Sequence, residues 1–224
     1  MNLQENIDRI KEVMGLISEL DIKKKNPVEG SYKNVYMSPN NPDIIYKFAE
    51  YADLMGEKVL FDEFPDLFSI PIGDIKKSNE TVTHRKPNGE TYVNNYHYLA
   101  FEKLDTKKFE DFYSTMQEVF NTYATDEIKK LWETHRYSNK IDYFFSIIFE
   151  MATNLNKGEV VDVFHTMNPI VQREAPQYYN DYLQFIDLLY KITTLDYYDS
   201  DAYWDFNSGN FGYDKNGKIK SLDI

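Results

Sequence analysis

The chain contains no cysteine. That excludes a disulfide framework and any thiolate metal site, and it is compatible with a reducing compartment, so a cytoplasmic location is expected. No run of eighteen apolar residues occurs, so the sequence predicts no membrane-spanning helix and no membrane partner. The first residues are polar and charged, unlike an ordinary secretory signal peptide. An excess of positive charge is missing as well. The formal net charge is −12. Contact with a phosphate backbone needs local Lys and Arg, so direct nucleic-acid binding is not expected. A basic partner, or mimicry of nucleic-acid charge, is compatible with that sign. No internal repeat or low-complexity tract is evident.

What the chain does have is apolar and aromatic mass. Of its 224 residues, 42% are hydrophobic and 16% aromatic, which is enough for a sizeable core in one large domain or two lobes. Leu3, Ile7, Ile10, Val13, Met14, Ile17 and Leu20 recur at helical spacing and predict a packed amphipathic helix within residues 1–25. Asn26 to Phe48 reads as strands, with a turn at Ser38–Pro42 before the apolar run Ile44–Phe48. Glu50 to Phe64 reads as a helix whose apolar face is Tyr51, Leu54, Met55, Val59 and Leu60. Phe68–Asp74 and Thr91–Leu104 read as strands separated by a polar turn region, Lys76–Glu90.

From Lys107 to Thr194 the pattern changes to three- and four-residue spacing, strongest over Phe109–Tyr123, Ile141–Leu155 and Ala175–Ile192. His135 and His165 lie in this stretch without metal-ligand spacing and read as structural. Strands in the first half and helices in the second predict an α+β protein.

The last stretch, Trp204 to Ile224, carries the chemistry. Phe211–Tyr213 is a short apolar run, Asp214–Gly217 is turn chemistry, and Lys218–Leu222 alternates polar and apolar residues. A hairpin brings its two open ends together, and here those ends carry Asn210 and Asp223. Asp205 precedes Asn210 by five residues, across a loop that contains Gly209. Two carboxylates and an amide oxygen are hard ligands that suit Mg²⁺ shared with substrate phosphates. An EF-hand start at Asp205–Gly209 fails, because the glycine comes one place early and no Glu closes the loop.

The spacing of Asp205, Asn210 and Asp223 resembles the catalytic centre of protein-kinase-like enzymes, in which D-x-x-x-x-N is followed by a short hairpin and the Asp of D-F-G. The Ser208–Gly212 wording most resembles early-gene Ser/Thr protein kinases of bacteriophages and bacterial kinase-like phosphotransferases. Earlier landmarks follow in the kinase order. Gly30 and Ser31 open a strand–turn–strand like the nucleotide-covering loop, with Val35 in its first strand. Lys47 sits where kinases place the lysine of V-A-I-K. Glu57, with Glu50 and Glu63 as rivals, would be its acidic partner. Phe101 would line the back of a nucleotide pocket, and backbone groups near Glu102–Leu104 would meet adenine.

The resemblance implies a two-lobed kinase-like fold with a small antiparallel-sheet N-lobe over 26–104 and a mainly helical C-lobe over 105–224, ending just after the DFG-like Asp. It implies ATP and Mg²⁺ as cofactors and phosphoryl transfer to protein Ser/Thr. Asp205 would act as base, Lys47 on the phosphates, and Asn210 and Asp223 as metal ligands. The chain departs from the family pattern at G-x-G-x-x-G, of which only Gly30 remains, at H-R-D, where Tyr203 and Trp204 precede Asp205, and at D-F-G, where Ile224 replaces Phe. The same residues are compatible with a small-molecule phosphotransferase. A catalytically impaired pseudokinase, or an acidic protein that inhibits a host partner, is the non-enzymatic alternative.

Overall fold

The computed structural model describes residues 35–85, 90–134, 142–153, 156–195 and 208–222. The expected helix over Leu3–Leu20 lies outside them, as do Gly30, Ser31, Asp205 and Asp223. The protein is α+β and divides into two compact units, with the boundary between Leu104 and Asp105.

The first unit is built on one antiparallel sheet of four strands, β1 (Val35–Met37), β2 (Ile44–Ala49), β3 (Pro71–Arg85) and β4 (Thr91–Glu102). Their spatial order is β1-β2-β4-β3. The β1–β2 turn is made by Ser38, whose hydroxyl accepts from the amides of Asn40 and Asn41 at 3.3 and 3.2 Å. Such local side-chain bonds are why Ser and Asn punctuate strands. Ile44, Tyr46, Phe48, Tyr98 and Ala100 form a buried cluster on one face of the sheet. The expected polar turn over Lys76–Glu90 is corrected here: β3 continues to Arg85 and pairs with β4 as far as Thr91. The backbone ladder holds these polar residues in a strand, and the register shifts twice, between Ile72 and Lys76 and between Lys77 and Thr81. Gly73, with φ 76°, occupies the first irregularity, a conformation glycine adopts without strain.

Helix α1 (Tyr51–Glu63) packs against β3 and β4. Its buried stripe is Leu54, Glu57, Leu60 and Phe61. Tyr51, Met55 and Val59, read from hydropathy as core, are instead exposed. The stripe is rotated because Glu57 takes a core-side position.

The second unit contains α2 (Thr106–Tyr123), α3 (Asp126–Thr134), α4 (Tyr143–Thr153), α5 (Lys157–His165), α6 (Asn168–Glu174), α7 (Tyr179–Thr193) and a hairpin of β5 (Phe211–Tyr213) and β6 (Ile219–Ser221). The helix expected from Ala175 starts later, at Tyr179, after a 3-10 turn over Pro176–Tyr178. Proline lacks the amide a continuing helix would need, so it separates α6 from α7. The core is aromatic. Phe109 packs against Phe185 and Phe211 at centroid distances of 5.2 and 5.4 Å, and Phe185 meets Phe211 edge-on at 5.1 Å. Further along α2, Phe120 and Phe144 approach to 5.0 Å. The Tyr182 hydroxyl donates to the Phe164 carbonyl at 2.6 Å, so its burial leaves no orphan donor. Among the described residues, no helix is long and apolar enough to cross a membrane.

Phe109 is fully buried at the junction of α2, α7 and β5. Phe109→Ala is expected to lower stability by about 3–5 kcal/mol, whereas the exposed Glu118→Ala on the same helix should change it by less than about 0.5 kcal/mol. Urea unfolding of both variants checks this; equal midpoints would mean that the aromatic junction is not the core of this unit.

Candidate functional site

Two stations carry the residues singled out from the sequence, one in each unit. In the first, Lys47 lies near the end of β2, opposite Val35 on β1 and Leu99 on β4. Directly opposed residues share a face of the sheet, so Lys47 has an apolar strand neighbour on either side. Its ammonium meets the Glu57 carboxylate of α1 in an ion pair. The two side chains are only 18% and 9% exposed. A charge that deep is costly unless paired, and this contact is what permits both residues to be there. Glu50 is engaged elsewhere, accepting from Asn94 Nδ2 at 2.7 Å. Glu63 ends α1 and is exposed.

Phe101 lies on the same sheet face as Lys47, two residues from Leu99 along β4, and is buried. Phe61 of α1 meets it edge-on at 5.9 Å and stacks on Phe68 at 4.6 Å. Helix α1 is thus fixed to the sheet by aromatic packing at its C-terminal end and by the Glu57 ion pair at its middle. Beyond Phe101 the backbone is partly engaged. Glu102 donates to the Ile70 carbonyl at 2.9 Å and its own carbonyl accepts from Ser69 Oγ at 2.7 Å, while Lys103 donates to Asp43 at 2.8 Å. Leu104 is buried, and its amide has no acceptor among the described residues.

The second station is the β5–β6 hairpin. Asp214 organises its turn: Oδ1 accepts from the amides of Asn216 and Lys218 at 2.8 and 2.9 Å, and Gly217, at φ 79°, makes the left-handed step. Asp214 Oδ2 lies 3.7 Å from the Lys220 ammonium, with both side chains 5% exposed or less. Three anchors hold the hairpin. Phe211 enters the aromatic core. Asp105 and Tyr213 exchange backbone hydrogen bonds of 2.8 and 3.3 Å. The Ile219 amide donates to Gln184 Oε1 of α7. Burial, then the nearby Asp181 carboxylate, pushes the Tyr213 phenol well above its ordinary range, so the ring stays neutral beneath the Lys108 ammonium, 3.9 Å from its centroid.

At the open end, the Asn210 carbonyl accepts from the Leu222 amide at 2.8 Å, extending the ladder one step beyond β5 and β6. Asn210 closes a short 3-10 turn over Ser208–Asn210 and is half-buried. This pairing sets Asn210 across from Leu222, the residue before Asp223. Asp205 and Asp223 themselves lie outside the described residues. Among the described residues, no group of three or more His, Asp or Glu side chains is arranged to hold a metal ion.

Sequence reasoning missed Asp105. It caps α2 by accepting from the Lys108 amide at 2.9 Å and staples the hairpin through its backbone. The signal was present: an Asp immediately before an apolar-periodic run is a helix-start pattern. Ser69, Gln184 and the Lys220–Asp214 pair carried no comparable local signal. No protein-family model matches the chain, and no curated protein matches it.

The ion pair predicts energetic coupling. In a double-mutant cycle of Lys47→Met and Glu57→Gln, the coupling energy is expected to be about 0.5–3 kcal/mol, because each single change strands the other half-buried group. Strict additivity in denaturant unfolding would show that the contact contributes nothing to the fold.

Proposed function

We propose that the protein is an ATP- and Mg²⁺-dependent phosphotransferase of the protein-kinase type, acting on Ser or Thr of a protein substrate. The observation that carries this reading is the Lys47–Glu57 ion pair. It joins a lysine near the end of a sheet strand to a glutamate on the following helix, ten residues later. Kinase chemistry requires such a pair, with the lysine oriented toward the nucleotide's phosphates. The Asn210–Leu222 pairing at the mouth of the hairpin supports the second part, since Leu222, the residue before Asp223 in the sequence, stands opposite Asn210.

In this reading Lys47 binds the α- and β-phosphates and Glu57 fixes its orientation. Phe101 closes the back of the adenine site, and the Leu104 amide is a donor available to the base. Asn210 and Asp223 supply hard oxygen ligands that fit Mg²⁺. When bound, the metal neutralises charge on the β- and γ-phosphate oxygens. Asp205 accepts the proton of the substrate hydroxyl as that oxygen bonds to the γ-phosphorus and ADP leaves. Positioning and electrostatics do most of the work, so few residues suffice. The non-catalytic alternative, an acidic protein that binds and inhibits a host partner, draws on the net charge of −12 and on Tyr203 and Trp204 in place of the His and Arg of H-R-D.

Two measurements separate these readings. Millimolar ATP with Mg²⁺ is expected to raise the melting temperature, because a ligand that binds only the native state stabilises it by mass action. No shift would count against a nucleotide site altogether. Asp205→Asn is expected to cut radiolabel transfer from ATP to a protein extract by about 10²-fold or more while leaving that thermal shift intact. A nucleotide-dependent shift without any labelling by the unmodified chain would favour the binding protein.

A further inference from the structure

Helices α5 and α7 border a groove of about 490 Å³ that lies within the second unit. Its lining repeats at one helical period on each wall, at positions 158, 161, 162 and 165 and at positions 183, 186, 187 and 190. Both walls follow the same order: an aliphatic residue, an Asp, then a ring. On α5 these are Val161, Asp162 and His165; on α7 they are Ile186, Asp187 and Tyr190. We propose that this groove binds a linear peptide segment of a protein partner that presents a Lys or Arg beside an aliphatic residue.

The occupant's chemistry follows from the walls. Ile186 is buried and Val161 and Leu183 are half-buried, which gives an apolar floor. The two carboxylates stand at the exposed edges, one per helix. Asp187 is held by Lys191 at 2.7 Å. Asp162 makes no side-chain hydrogen bond or ion pair among the described residues, so its charge is available to a ligand. The cations nearby do not cancel it. Lys191 is committed to Asp187, and Lys157 donates to the Ala152 carbonyl at 2.8 Å. The His165 ring is tied through Nδ1 to the Asn168 amide at 3.1 Å. Tyr190 is 41% exposed and offers an aromatic surface to a cation. A Lys or Arg side chain, with an apolar stem and a charged head, matches a floor of this kind edged by carboxylates. An acidic peptide or a nucleic acid meets the wrong sign.

Gly158 is the second observation. It is the second residue of α5 and lines the groove. A Cβ there would meet only Asn156 Oδ1 at 3.6 Å, an ordinary contact, so internal packing does not require glycine. What its missing side chain does is keep one end of the groove open. The lining spans eight residues on each helix, about 10 Å, which is longer than one side chain and suits about three residues of extended peptide.

The test is fluorescence anisotropy with a fluorescein-labelled peptide, Gly-Ala-Arg-Leu-Ala-Leu-Gly, titrated with the intact chain in the absence of nucleotide. Saturable binding is expected at a Kd of about 10–100 µM, in the affinity range of small peptide interfaces. Asp162→Lys should weaken it at least about tenfold, and Gly158→Leu, which fills the open end, should abolish it. The exposed Asp162→Ala change is the milder check if either variant melts early, and it should also weaken binding. A peptide with both leucines replaced by serine should not bind. Absence of saturable binding, indifference to Asp162→Ala, or equal binding of the serine peptide through diffuse attraction to an acidic surface would each overturn the proposal. Because no nucleotide or phosphate transfer is read, this result stands apart from the kinase reading.

Discussion

An ammonium group on a strand inside an apolar sheet must find a carboxylate or give up its charge, and in this protein Lys47 finds Glu57. Much of the first unit follows from that requirement. Glu57 has to lie on the sheet-facing side of α1, which turns Tyr51, Met55 and Val59 outward. It also places Phe61 against Phe68 and Phe101, so the same rotation that satisfies the charge completes the aromatic contact. An ion pair of this kind contributes little net stability compared with a well-packed apolar pair. The pair ties α1 to β2 at one point, consistent with the helix rotation that buries Glu57 and exposes Met55.

The second unit solves a different problem by different means. Its hairpin is only three residues long on each strand, too short to be stable by itself. It is stable because Phe211 enters the Phe109–Phe185 junction, because Asp105 pairs with Tyr213, and because Gln184 accepts from Ile219. Each contact removes a different freedom: depth, lateral position and rotation. The geometry at Asn210 is therefore inherited from the core of the helical unit. Asp105 belongs to this set although it follows directly after the last residue of the sheet unit, so one residue both starts α2 and ties down the hairpin.

Much of this was legible in the sequence where one physical signal acted alone. The hairpin was readable because Asp214 can accept from the amides of its own turn and Gly217 tolerates the positive φ the turn needs, and α2 because its apolar residues keep helical phase. The α+β division was readable from the change of period near residue 105. The signals failed where tertiary context outvoted local chemistry. Lys76–Arg85 is polar enough to read as a turn, yet its backbone pairs with β4. The face of α1 was misread because hydropathy ranks Glu57 as solvent-facing and Met55 as core, and only the position of Lys47 reverses that order. Pro176 is a stop signal that a periodic count over Ala175–Ile192 passes through. At the candidate site, side-chain identities were legible but the partners Ser69 and Gln184 were not, since hydrogen bonds across 30 or more residues leave no local pattern.

The two stations bear on chemistry through rigidity rather than through unusual reactivity. Neither Lys47 nor Asn210 needs a perturbed environment for the proposed roles; an ammonium and an amide oxygen bind phosphate and metal in their ordinary states. What such chemistry requires is placement, because a misplacement of about 1 Å can cost a factor of 10² in rate. Lys47 is placed by a carboxylate on a helix that is itself fixed by Phe61, Phe68 and Phe101. Asn210 is placed by a backbone hydrogen bond to Leu222 on a hairpin fixed by Phe211, Tyr213 and Ile219. In both units the residue singled out from the sequence adjoins the apolar core and inherits its order. A lysine on the sheet and an asparagine on the hairpin are in this way held in defined positions. Packing and backbone pairing, rather than any local sequence device, position both groups.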